Sequence, residues 1–179
     1  MSLLGRLQRA YKAAGLNCGN KLRAPARLEV VRNLGRLLDL PIPPSLRAVW
    51  RIHGGQGYVT PGTTGLFGSH RLHSPSETAE NYQMFLENNL DPSGKFPPAD
   101  GKIGYFHPRL LPFASWDVYN LCIDTASGMV WEFSPNYGTR GGTSRPSLRG
   151  LVSELLALLA AGREPELDFI YGPRKKVVS

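Results

Sequence analysis

The amino-acid sequence predicts an α+β domain: a mostly antiparallel sheet built round a central hairpin, flanked by N-terminal helices and a C-terminal helix. Three observations carry that expectation. Leu110 to Phe133 reads as strand, loop, strand, turn and strand; three helical patterns come before any convincing strand; and leucines at helical spacing fill Leu148 to Leu159. No internal repeat, heptad seam or linker divides the 179 residues, so one domain is expected over 1–179, with a core at about 25–162 and a tail at 163–179.

In chain order, Leu3, Leu4, Leu7, Ala10, Tyr11 and Ala14 recur at three-four spacing and predict an amphipathic helix ending near Gly15. The same stretch carries arginines, but they interleave at helical spacing, and no apolar block with a small-residue cleavage site follows, so a targeting peptide is not the reading. Pro25 suits the start of a second helix whose buried stripe is Leu28, Val31, Leu34 and Leu38, with Pro41 as its stop. A third helix follows Pro43-Pro44, placing Leu46, Val49, Trp50 and His53 on one face before Gly54-Gly55 ends it. Gln56 to Ser69, with its glycines around Tyr58, Val59, Leu66 and Phe67, predicts one or two short strands joined by turns.

Ser74-Pro75-Ser76-Glu77 has the chemistry of a helix start, and the helix is expected to run through Tyr82, Phe85 and Leu86. Asn88 to Asp100 reads as a surface loop and Lys102 to Phe106 as a short strand leading into the hairpin. Tyr119, Leu121 and Ile123 then alternate with Asn120, Cys122 and Asp124, the pattern of a strand with two unlike faces. Asp124 to Gly128 supplies turn chemistry, and Met129 to Phe133 returns. Ser134 to Arg145 is Gly, Thr, Ser and Arg with almost nothing apolar, which predicts a long exposed loop. Leu148, Leu151, Val152, Leu155 and Leu159 form the last helix, stopped at Gly162, and Phe169 to Tyr171 is a candidate tail strand.

Composition excludes several classes. A 41% hydrophobic content with scattered charge is that of a folded chain, and no apolar run approaches the ~20 residues of a membrane span. Cys18 and Cys122 form no CxxC and no disulfide framework, which suits a reducing compartment and makes cytoplasm the expected location. The net charge of +7 raises nucleic acid as a ligand, but the basic residues are spread along the chain apart from Arg174-Lys175-Lys176, and no recognition motif accompanies them. Diffuse positive charge instead favours an acidic protein partner.

Catalytic motifs are equally scarce. His70 and His73 are the one close histidine pair, yet the intervening glutamate of a zinc protease is missing and no cysteine completes a structural site; the expectation is no metal and no cofactor. Gly138 to Thr143 resembles a phosphate-cradling loop but lacks its lysine and the strand before it. No serine sits in a nucleophile elbow, and Cys122 within a strand reads as a small buried thiol. The chain is therefore expected not to be an enzyme, with a hydrolase or metal enzyme hidden in loop geometry as the rival from another class. The aromatics say more. Trp50 belongs in the core, whereas Trp116 falls in a loop between strands, where tryptophan and arginine commonly anchor interfaces. Trp116, Asp117, Tyr119, Arg140 and Arg145 are thus the candidate partner-binding residues.

Two blocks also carry a family resemblance. In LPIPPSLRAVWRIHGGQ, the residues Pro41, Leu46, Trp50, Gly54 and Gln56 match the first signature of the SUKH superfamily. In LLPFASWDVYNLCIDTASGMVWEF, Pro112, Phe113, Ala114, Asp124, Gly128 and Val130 match its second. The resemblance spans roughly Leu28 to Leu159 and departs from the pattern at Val118, where many members have glycine or an acid. It implies an α+β fold without catalysis, in which Trp50, Gly54, Gln56, Pro112, Asp124 and Gly128 are mainly structural. It also implies binding of another protein: as a bacterial immunity protein that neutralises a toxin, or alternatively as an adaptor or scaffold subunit of a larger regulatory complex of the eukaryotic type. A monomer or weak homodimer is expected.

Overall fold

The computed structural model describes residues 2–18, 21–59, 63–89, 106–136 and 138–167. The order of elements is α1 (Leu3–Ala13), α2 (Leu28–Leu38), α3 (Pro44–Trp50), β1 (Arg71–Leu72), α4 (Pro75–Asn89), β2 (Leu110–Trp116), β3 (Tyr119–Asp124), β4 (Val130–Ser134), β5 (Gly138–Arg145) and α5 (Leu148–Ala160). The five strands form one sheet in sequence order, every pair antiparallel. This is the α+β architecture that the sequence predicts. No helix among the described residues is long and apolar enough to cross a membrane.

Local chemistry explains most boundaries. In α1 the Ser2 hydroxyl accepts from the Gly5 amide, Leu4, Leu7 and Tyr11 are buried, and Gly15 exits at φ +74°. Helix α4 opens on a reciprocal cap: the Glu77 amide donates to Ser74 Oγ, and the Ser74 amide donates to the Glu77 carboxylate at 2.7 Å. Ser147 caps α5 by accepting from the Gly150 amide. The predicted stripe of α5, Leu148, Leu151, Val152, Leu155 and Leu159, is buried as expected.

Four expectations need correction. Pro25 does not open α2, which starts three residues later with Arg27 as its cap residue, and Leu28 is exposed rather than part of the stripe. The segment 56–70 forms no regular strand among its described residues; single bridges tie Leu22 to Gln56, Gly65 to Gly68 and Phe67 to His70, because the glycine-rich backbone folds too tightly for a ladder. Among the described residues the strand nearest to this segment is β1, between His70 and His73.

The stretch read as an exposed loop from Ser134 to Arg145 contains β5, paired with β4 through Val130–Arg145, Glu132–Arg140, Phe133–Thr139 and Ser134–Gly138. A strand at the end of a sheet is held by backbone groups that any residue supplies, so its apolar content misled. In β3 the two unlike faces are both covered: every residue from Asn120 to Asp124 is buried. On the face that carries Phe133 of β4, the Phe85 ring of α4 lies 4.8 Å away and the Phe106 ring 5.0 Å, centre to centre. The expected loop at 88–100, the strand at 102–106 and the tail strand at 169–171 lie wholly or largely outside the described residues.

Candidate partner-binding site

The hairpin between β2 and β3 turns on two residues, Asp117 and Val118, with Trp116 paired to Tyr119. Asp117 takes φ +51°, a left-handed conformation that aspartate tolerates better than most side chains. Trp116 is 52% exposed and stacks on the Tyr119 ring, 5.9 Å between centroids and 19° between planes. A large aromatic surface is thus held rigid and wet at the tip of an otherwise buried hairpin. Three of the five candidate residues, Trp116, Asp117 and Tyr119, come together here.

The two arginines do not join them in the same way. Arg140 lies in β5 opposite Glu132, and its side chain is outside the described residues. Arg145 is 5% exposed, and its guanidinium makes a two-pronged ion pair with Glu154 of α5. It ties β5 to the last helix rather than facing solvent, which corrects the expectation that it projects from a loop.

The motif residues behave as structural parts. Trp50 is fully buried, and its indole N–H donates to the His73 carbonyl at 2.9 Å. Gly54 donates to the Ala24 carbonyl, and a Cβ there would collide with that same oxygen. Gln56 is a junction: its amide nitrogen donates to the carbonyls of Cys18 and Thr64, while its oxygen accepts from the Leu66 amide at 2.8 Å and the Leu72 amide at 3.4 Å. Pro112 sits at an irregularity in the β2–β3 register, where the missing N–H does least harm.

Asp124 receives two bonds from Arg109, at 2.9 and 2.5 Å, and also accepts from the Ala126 and Ser127 amides and the Ser127 hydroxyl. Burial alone would raise its pKa, but these hydrogen bonds outweigh burial and hold it below the usual carboxylate range. The carboxylate therefore organises the turn that Gly128 closes at φ +76°. Replacing Asp124 by Asn should lower stability by about 2 kcal/mol, since a charged, bidentate acceptor is lost to a partly solvated arginine. Urea unfolding would show it as a lower midpoint; an unchanged midpoint would mean that the Arg109 pair adds nothing.

The groups weighed for chemistry are all withdrawn from solvent. Burial raises the Cys18 thiol to about 11; burial, then the Glu132 charge, pushes Cys122 well above an ordinary thiol. Burial lowers His70 to about 4, and burial with the nearby Arg71 charge does the same for His73, so both are neutral at physiological pH. His73 Nε2 is 2.8 Å from Ser115 Oγ. Among the described residues no group of three His, Cys, Asp or Glu side chains is arranged to hold a metal ion.

Residues 25–148 match the SMI1 / KNR4 family (SUKH-1). The chain belongs to that family. The match covers both motif blocks, so Trp50, Gln56 and Asp124 all lie within the SUKH domain. A search of curated proteins finds no match.

One exposed aromatic escaped the sequence reading. Tyr58, expected in a strand, is 79% exposed with the Arg71 guanidinium 4.9 Å from its ring centre. Its glycine-rich surroundings give no periodicity from which exposure could be read.

Proposed function

We propose that this SUKH domain is a non-enzymatic protein-binding module, that it works by binding and neutralising a toxin, and that the β2–β3 hairpin tip is its contact surface. The observation that carries the reading is Trp116: half exposed, stacked on Tyr119, and set beside Asp117 on a two-residue turn. A rigid aromatic pair at the end of a buried hairpin presents contact area at small entropic cost, as interface anchors do. Family membership supports a protein partner, and the net charge of +7 favours one with an acidic face. Arg140, on β5, belongs to the proposal as a further contact.

The test is capture of the tagged protein with its partner from the native host, comparing wild type with Trp116→Ala. One stoichiometric partner carrying a toxin-like domain, lost in the variant, is the expected result. Several subunits of a cellular complex would replace the immunity reading with the adaptor one. In a binding titration against that partner, Trp116→Ala should weaken affinity at least about tenfold. Its unfolding free energy should stay within about 1 kcal/mol of wild type, because the ring is half in water already. A large loss of stability would make Trp116 a packing residue and end the assignment.

A further inference from the structure

A second surface lies on the helices before the sheet. Between the flank of α2, the segment after it and α3 runs a groove of about 540 Å³. Its construction follows from two backbone features. Asp39 ends α2 at φ +50°, which turns the chain back on the helix, and the Leu40 amide donates to the Gly35 carbonyl. Gly35 gives the returning segment room: a Cβ there would lie 3.1 Å from the Leu40 oxygen and 3.3 Å from Ile42 Cγ1. The result is an aliphatic trough with Leu28, Leu40 and Ile42 in its lining.

Arginines surround it. Arg32, Arg36 and Arg47 line the groove, against the single carboxylate of Asp39. None of the three has a side-chain ion pair or hydrogen bond among the described residues. The wider stretch is as one-sided: residues 21–51 hold seven basic and two acidic side chains, which is five of the chain's seven net positive charges. Much of the net positive charge therefore falls in the one stretch that includes these two helices. Beside it, Leu28 and Leu37 are 50% and 65% exposed.

We propose that this groove docks an acidic, leucine-bearing segment of another protein, separately from the hairpin tip. Unpaired arginines call for carboxylates, and an aliphatic floor calls for aliphatic side chains; an amphipathic acidic helix supplies both. The lining contains no aromatic ring on which a base could stack, which disfavours single-stranded nucleic acid. A concave trough also suits a side chain better than a flat bilayer.

The test is an NMR titration of the isotope-labelled protein with a synthetic peptide of about four helical turns, glutamate-rich with leucines at three-four spacing. Amide shifts should cluster at 28–42 and at Arg47, and affinity should fall as salt rises. Arg32→Glu with Arg36→Glu should weaken binding about tenfold or more, while the Lys pair at the same positions keeps most of it. Both side chains are exposed, so the melting temperature should not move. No shifts, shifts at the hairpin tip instead, or equal binding of a peptide with serines for leucines would each overturn the proposal. Tighter binding of anionic phospholipid vesicles or of a single-stranded oligonucleotide than of the peptide would do the same.

Discussion

Replacing Gln56 by leucine should lower the folding free energy by about 4 kcal/mol, a large part of the ~5–15 kcal/mol of an ordinary domain. The volume change is small, so the loss comes from hydrogen bonding alone. The 1%-exposed amide joins three separate stretches: the Cys18 and Thr64 carbonyls on one side, the Leu66 and Leu72 amides on the other. Leucine fills the space and leaves those four backbone groups without that partner, away from water. The Leu72 bond is long at 3.4 Å and adds little; the other three carry the effect. Urea unfolding followed by far-UV circular dichroism measures it. A variant within about 1 kcal/mol of wild type would show that the 56–72 segment rearranges to satisfy itself.

Acid should weaken the fold nearly as much. His70 and His73 are buried and neutral, each held near a pKa of about 4 when folded, whereas an unfolded histidine titrates near 6.5. Between those values the unfolded chain binds more protons than the folded one, so stability falls as pH drops through that window. At about pH 5 the loss is about 2 kcal/mol for each ring, about 4 together. Asp124 and Glu77 act in the same direction at lower pH, because both carboxylates sit below their ordinary values when folded. For Glu77, burial works the other way but is outweighed by hydrogen bonds from Ser74 and Arg71. Denaturant titrations at about pH 7.5 and pH 5 should differ by this amount, and in His73→Gln the difference should shrink by about half whatever the baseline stability. Equal stability at the two pH values would mean that both rings protonate within the folded protein.

The parts of the fold that were legible in the sequence share a cause. Helices α1, α3 and α5 and the β2–β3–β4 meander announce themselves because burying one stripe or one strand demands periodic apolar residues. Strand β5 was not legible, since Gly138–Arg145 is held by backbone pairing, by the Arg145–Glu154 ion pair and by the burial of Thr139. Neither ladder nor ion pair leaves a one-dimensional signature. The same holds for the sites. Trp116 and Tyr119 could be picked out as a local pair across a short turn. The groove could not, because it depends on Asp39 turning left-handed and on Arg47 of a different helix arriving beside Arg36. Arg145 failed as a surface residue for the opposite reason: its partner, nine positions on, is invisible until α5 folds back.

Helix α1 packs chiefly against α5, and that pairing has a consequence for synthesis. Ribosomes release α5 about 135 residues after α1, roughly ten seconds at ordinary elongation rates. Throughout that interval Leu4, Leu7 and Tyr11 lack their main helical cover, while the meander, whose strands are neighbours in sequence, can pair as it emerges. The nascent domain therefore carries an unsheathed amphipathic helix until the last leucines of α5 arrive, and that helix is where a ribosome-associated chaperone should be found waiting.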